Sequence, residues 1–229
     1  MTPQPDPKIF VVMAAYNEAD AIGPVVGSLL SVYRHVVVVD DASTDGTSEV
    51  LKDSPVYLLR HCLNRGQGAA LQTGIEFALS QGADIVVTFD ADGQHDMLEI
   101  PGLVGPILAG ECEVTLGSRF LGRTEGMPLT RRLVLKAGVL FTRVFSRVRV
   151  SDIHNGFRAL SARAAARIHL QMDRMAHASE ILEQIQRSGL PYREVPVTIR
   201  YTSYSIGKGQ SSWNAVRIAF ELLMRRRLG

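Results

Sequence analysis

Two carboxylates one residue apart, Asp90 and Asp92, end the apolar run Ala83-Asp84-Ile85-Val86-Val87-Thr88-Phe89 and are followed by Gly93, Gln94 and His95. Paired oxygen donors at the carboxyl end of a buried strand suit a hard cation, Mg²⁺ or Mn²⁺, with positions left open for the oxygens of a diphosphate. In α/β proteins the ligand crevice lies outside that end of the sheet. For a lone Asp-x-Asp the competing reading is a polar turn, because Asp and Gly both favour turns. The rest of the chain decides. Ala15-Tyr16-Asn17-Glu18, Asp40-Asp41-Ala42-Ser43-Thr44-Asp45-Gly46-Thr47 and Asn64-Arg65-Gly66-Gln67-Gly68 also follow apolar segments. Four successive strand ends therefore deliver polar residues to one edge.

The elements that must hold those ends are legible as alternation. Lys8–Ala14, His35–Asp40 and Ala83–Asp90 are β-branched runs, with shorter candidates at Val56–Leu59 and Glu113–Gly117. Helical patterns over Ala19–Tyr33, Asp45–Lys52 and Gly66–Gln81 separate them, so βαβ units and a mainly parallel sheet flanked by helices are expected. Beyond residue 120 the pattern turns helical: Leu129–Arg149 reads as a basic amphipathic helix, Ser161–His169 and Ala178–Ser188 as further helices, and Ser212–Leu228 as a last one. Tyr192–Ile199 reads as a strand in which Pro196 forces an edge or a bulge. Ser43-Thr44-Asp45-Gly46 is a good helix N-terminus, which gives Asp45 a capping role to set against ligand binding. Gly66 and Gly68 at a helix start would let backbone N–H groups approach phosphate, a plain Gly-rich turn being the alternative.

Composition narrows the class. With 229 residues, 46% hydrophobic and 21% charged, the chain suits one large globular domain. A net charge of +2 is too mild to argue for nucleic acid. The cations are uneven, however: Arg131, Arg132, Lys136, Arg143, Arg147 and Arg149 cluster, as do Arg225, Arg226 and Arg227. Such blocks beside apolar residues suit an anionic membrane surface, and equally a solvated helix face. Two cysteines, Cys62 and Cys112, make no disulfide framework, so a reducing cytosol is expected. Residues 1–7 form a Pro-rich, disordered lead-in without the pattern of a signal peptide, and no apolar stretch approaches the ~20 residues of a spanning helix.

Taken together, the four strand-end motifs with Gly117-Ser118-Arg119 and Asp152-Ile153-His154-Asn155-Gly156-Phe157-Arg158 resemble the family 2 glycosyltransferases, inverting enzymes of the GT-A fold. The last two motifs look like the branch that transfers sugars to polyprenyl phosphates and contains the dolichol-phosphate mannose synthases. The resemblance covers about residues 8–200. It implies one GT-A domain over 8–229, with a nucleotide-sugar half at 8–120 and an acceptor and membrane-facing half at 121–229. It implies Asp90, Asp92 and Gln94 as ligands of Mg²⁺ or Mn²⁺. Ala15, Tyr16, Glu18, Asp41, Gly68, Asp90 and Ala91 would bind the nucleotide sugar, with Asp41 on the nucleoside and Asp40 its backbone-anchored neighbour. Asp92, Asp152 and Arg119 would be the catalytic residues.

For the acceptor phosphate the resemblance implies Arg119, Arg131 or Arg132, Arg158 and Lys208, with a structural ion pair to Asp152 as the alternative for Arg158. The family's arginine before the Gly-x-Ser-Lys turn is missing, so Lys208 or Arg200 must substitute. Asp96-Met97 departs from the family's proline after the His. The function implied is metal-dependent, inverting transfer of a hexose from GDP-mannose or a UDP-hexose to a polyprenyl phosphate, by a peripheral protein on the cytosolic face of a membrane. A small membrane protein is a further expected partner. The alternatives are a saccharide acceptor, for which Asp152 is the motif-placed general base, and a non-catalytic nucleotide-sugar-binding protein.

Overall fold

The computed structural model describes residues 6–127, 135, 150–171 and 177–201. The expected helices over 129–149 and 212–228, with Arg131, Arg132, Lys208 and both arginine clusters, lie outside the described residues. Among those described, seven strands form one sheet: β1 (Ile9–Ala15), β2 (His35–Asp40), β3 (Tyr57–Arg60), β4 (Ile85–Thr88), β5 (Val114–Glu125), β6 (Arg158–Ser161) and β7 (Tyr192–Arg200), in the order β3-β2-β1-β4-β6-β5-β7. Only β6 runs against the rest, antiparallel to both β4 and β5. The carboxyl ends of the other six strands and the start of β6 therefore share one edge.

Strand residues alternate between two cores. Phe10, Val12, Val37, Val39 and Val86 pack against helices α3 (Gln67–Ser80), α5 (Ala162–Ala165) and α6 (His177–Arg187). On the opposite face, Val11, Met13, Val36, Val38 and Val87 pack against α1 (Ala19–Leu30) and α4 (Ile100–Leu108). Each fully buried Val or Leu contributes about 1.5–3 kcal/mol by leaving water, which is why the continuous apolar runs settle as central strands covered on both faces. Helix α2 (Thr47–Val50) is a single turn.

Several expected bounds contract or change. The helix expected at Ser161–His169 is only Ala162–Ala165, started by Ser161, whose Oγ accepts from Ala164 N at 3.1 Å. Strand β4 stops at Thr88, before the carboxylates. Strand β6 has no β-branched residue to announce it. Helix α4 carries Pro101, Gly102, Gly105 and Pro106, which mask the helical spacing of Ile100, Leu103, Val104 and Ile107. Burial of Ile100, Leu103 and Val104 outweighs that poor propensity. The expectation for Pro196 holds: β7 is an edge strand, and its pairing with β5 jumps from Ser118↔Pro196 to Arg123↔Thr198. The Thr198 N–H released by the jump donates to both carboxylate oxygens of Glu99 at 2.9 Å.

At that irregularity Gly122 meets β7 backbone to backbone. A Cβ on Gly122 would lie 2.2 Å from Val197 O and 2.5 Å from Val197 N. Gly122→Ala is therefore expected to lower unfolding free energy by about 1–3 kcal/mol in urea titrations. Gly27→Ala in α1, where a Cβ meets nothing within 4 Å, is expected to raise it by about 0.5–1 kcal/mol.

Candidate active site

The first two strand ends are sewn together before any ligand arrives. Asn17 N donates to Ser43 Oγ at 2.9 Å, Thr44 N to Asn17 Oδ1 at 2.9 Å, and Glu18 N to Thr47 Oγ1 at 2.9 Å. Asp45 is not the N-cap of α2, a position Gly46 takes, but accepts from Thr47 N at 3.0 Å and, across to the start of α1, from Ala19 N at 3.1 Å. Asn17 and Ala42 sit at φ 54° and 61°, a left-handed conformation that costs an alanine about 1 kcal/mol and persists only under such constraint. Tyr16 remains 47% exposed beside this clasp, whereas Ala15 is buried and its carbonyl accepts from Asp41 N at 2.9 Å.

Asp40 and Asp41 are both buried and both engaged. Asp40 accepts from Ser43 N at 2.8 Å and from the Ser48 hydroxyl, as its backbone-anchored role requires. Asp41 accepts from His61 Nδ1 at 2.7 Å, Arg65 N at 2.9 Å and Gly66 N at 2.6 Å. Its carboxylate thus folds the Asn64-Arg65-Gly66 turn onto the end of β2. A carboxylate offers about four lone-pair positions, which leaves roughly one for a ligand. Gly66, at φ 93°, opens α3; Gly68 lies buried in its first turn.

Helix α3 aims its start at the carboxylate pair: Gln67 Nε2 donates to Asp90 Oδ1 at 3.2 Å. Asp90 Oδ2 accepts from His95 Nε2 at 2.9 Å. The His95 ring is packed by Phe89 and Phe157, at centroid distances of 5.3 and 4.8 Å, so His95 serves the carboxylate from within the core. Burial alone would push Asp90 up, but the charge and hydrogen bond of His95, with His177 and Arg158 beyond, hold it below the usual carboxylate range. Asp92 goes the other way, pushed up to about 6 by burial and then by the charge of Asp90. Gln94 braces Asp92, donating from its backbone N at 3.0 Å and its side-chain amide at 2.7 Å, which leaves its amide oxygen for a cation.

This donor set fits a hard cation. Two carboxylates in mutual repulsion and one amide oxygen are what Mg²⁺ or Mn²⁺ takes beside water and phosphate. The cradle is tight as well: a Cβ on Gly156 would lie 2.5 and 2.7 Å from the two Asp90 oxygens. Among the described residues no group of three or more His, Cys, Asp or Glu side chains forms a closed metal cage.

Across the same segment lies a buried cation. Arg119 donates to Asp152 Oδ2 from Nε at 2.6 Å and from its backbone N at 3.1 Å, and to the Tyr201 hydroxyl from Nη1 at 2.6 Å. Burial works against its charge, and Asp152 and Tyr201 more than offset that. The ion pair of Asp152 is thus with Arg119 and not with Arg158. Arg158, at the start of β6, donates to Ile153 O at 3.2 Å, and burial lowers it to about 10, so it stays charged at neutral pH. His154 between them is held below the ordinary imidazole range by burial, and by Arg119 and Arg158 against the pull of Asp152. Arg200 pairs with Asp96 at 2.9 Å and Glu125 at 3.4 Å, which occupies the loop where the family's proline is absent.

Residues 10–168 match the profile of Glycosyl transferase family 2. The chain belongs to that family. This glycosyltransferase is 38% identical over 224 residues to an uncharacterized protein of Methanocaldococcus jannaschii, covering 96% of this chain and 92% of that one. It is 32% identical to the UDP-N-acetylglucosamine–dolichyl-phosphate N-acetylglucosaminyltransferase of Methanococcus voltae, covering 96% of each, and 27% identical to the undecaprenyl-phosphate mannosyltransferase of Micrococcus luteus, covering 91% and 89%. Both named relatives take a polyprenyl phosphate as acceptor. The fold is GT-A. Glucosyl-3-phosphoglycerate synthase from Mycobacterium tuberculosis, solved with Mn²⁺, UDP and product, superposes with a TM-score of 0.71 at 21% identity over 94% of this chain and 80% of that one. Mannosyl-3-phosphoglycerate synthase from Rubrobacter xylanophilus gives 0.74 at 17% identity over 96% and 74%.

The glycosyltransferase motifs contain the carboxylates, Arg119 and Gln67, but not the pairing between them. Gln67 reaches Asp90 across 23 residues of sequence, and His61 and Tyr201, outside the motifs, reach Asp41 and Arg119 across 20 and 82.

One consequence is a pH-dependent cation affinity. Asp92 must be ionised to ligate, while Asp90 is already ionised, so Mn²⁺ affinity is expected to be full above about pH 6 and to fall up to ~10-fold per unit below it. Electron paramagnetic titration of Mn²⁺ at pH 5, 6 and 7 measures this. Gly156→Ala, which displaces Asp90, should weaken Mn²⁺ about 10–100-fold at pH 7.

Proposed function

We propose that this glycosyltransferase moves a hexose from a nucleotide diphosphate sugar to a polyprenyl phosphate at the cytosolic face of a membrane, with inversion at the anomeric carbon and with Mg²⁺ or Mn²⁺ bound. The observation that carries the phosphate acceptor is the Arg119–Asp152 pair. A saccharide hydroxyl needs a carboxylate to deprotonate it. Asp152, the motif-placed candidate for that base, gives Oδ2 to two Arg119 donors instead. A phosphate monoester is already anionic and nucleophilic, and what it needs is a positioned cation. Arginine supplies a planar fork of permanent charge for that purpose.

In this reading Asp90, Asp92 and Gln94 would hold the cation, which would supply Lewis-acid neutralisation of the diphosphate. Asp41 and the turn it secures, with Ala15, Tyr16, Glu18, Gly68 and Ala91, receive the nucleotide sugar. Arg119, with Arg158 behind it and Arg131, Arg132 and Lys208 from outside the described residues, holds the acceptor phosphate behind C1, so that rate comes from alignment and charge stabilisation. The named relatives, in Methanococcus voltae and Micrococcus luteus, support the polyprenyl phosphate, and the Mn²⁺–UDP complex of the Mycobacterium tuberculosis enzyme supports the donor side. No helix among the described residues is long and apolar enough to cross a membrane. Docking is assigned to the basic segments over 129–149 and 225–227, with or without a small membrane protein as partner.

The test supplies radiolabelled GDP-mannose, UDP-glucose or UDP-N-acetylglucosamine with a short polyprenyl phosphate and Mn²⁺. Label is expected in the organic phase with one of the three donors, and Asp92→Asn is expected to reduce it at least ~100-fold. Label that stays aqueous and enters added oligosaccharide would replace this reading with the saccharide acceptor.

A further inference from the structure

Arg119 enters the site gripped on two sides of one plane. Asp152 holds Nε and Tyr201 holds Nη1, each at 2.6 Å, in a pocket where Arg119 is 7% exposed and Tyr201 8%. A guanidinium carries five N–H donors in a rigid fork. One bond at Nε leaves the plane free to pivot about that contact. The second bond, from Nη1 to the phenol oxygen, removes the pivot and aims the Nη2 edge.

We infer that Tyr201 is a positioning residue for the acceptor: its hydroxyl orients Arg119 toward the acceptor's phosphate. The inference rests on the reading that Arg119 binds an anionic acceptor, and it adds a residue that the sequence motifs do not contain. The ring of Tyr201 is located without its hydroxyl. It packs in the same core as Val197 and Ile199, its backbone N donates to Glu125 O at 2.9 Å, and Gly126 is bare where a Cβ would lie 2.8 Å from Tyr201 O. The hydroxyl is therefore separable from the packing. The neighbouring Arg200 is engaged by Asp96 and Glu125. At this exit from β7, where the family's acceptor-side arginine is missing, Tyr201 acts on the phosphate through Arg119.

Tyr201→Phe removes only the oxygen. With Mn²⁺ and UDP bound, calorimetric titration of geranyl phosphate is expected to show about five- to tenfold weaker binding in the variant, with UDP affinity unchanged within twofold. In steady state the acceptor KM should rise by the same factor while kcat and donor KM hold. In an Arg119→Lys background the substitution should add nothing, because its effect passes through the guanidinium. Equal geranyl phosphate affinity in wild type and Tyr201→Phe overturns the positioning role alone. An undiminished effect in the Arg119→Lys background, or donor and acceptor constants falling together, also overturns it by making Tyr201 merely structural. Wild type that binds UDP but no geranyl phosphate overturns the acceptor reading and this inference with it.

Discussion

Asp90 stands where it does because Gly156 has no side chain. Its two oxygens lie closer to the Gly156 Cα than any other residue would permit, with Gln67 on one oxygen and His95 on the other. That contact joins the carboxyl end of β4 to the segment 152–158, and the same segment carries Asp152 to Arg119. Asp90 and Arg119 are thus both held by one short stretch of backbone. Moving that stretch would disturb both. Arg158, buried at its far end, places a positive charge near enough to influence both Asp90 and Asp152.

The site divides its carboxylates by task through burial and partners. Asp40, Asp41 and Asp45 shape loops: each accepts backbone N–H groups that would otherwise be unsatisfied at the ends of strands or helices, and Asp41 keeps about one acceptor position besides. Asp152 is given to a cation. Asp90 and Asp92 are left facing each other, one held ionised by histidine and the other resisting ionisation in its company. Carboxylates of one chemical type thus end as scaffold, as counter-ion and as a mutually repelling pair, and only their neighbours distinguish them.

The first strand ends were legible because their signals are local. A β-branched run followed by Asp-x-Asp or Asp-Asp-x-Ser states both the strand and its end, and β2 fell on His35–Asp40 as expected. Legibility failed where the partner was distant. Strand β6 is held by Val86↔Leu160 and Val114↔Leu160 pairing, not by the propensity of Arg-Ala-Leu-Ser. Helix α4 forms against two prolines because the sheet buries one of its faces. The grip of Tyr201 on Arg119 spans 82 residues, and it became visible only once β7 had been laid beside β5.

The reversed strand β6 has a consequence in time. It lies between β4 and β5, so both of their inner edges stay unpaired until the chain is complete beyond residue 161. At ribosomal rates of ~5–20 residues per second, roughly 4 to 15 s separate the emergence of β4 from that of the strand that covers it. Throughout that interval Asp90 has neither Gly156 against it nor Arg158 behind it. The nascent chain therefore carries the carboxylate motif as an exposed strand end, and the surroundings of Asp90 are completed late, when a segment some seventy residues downstream pairs with β4.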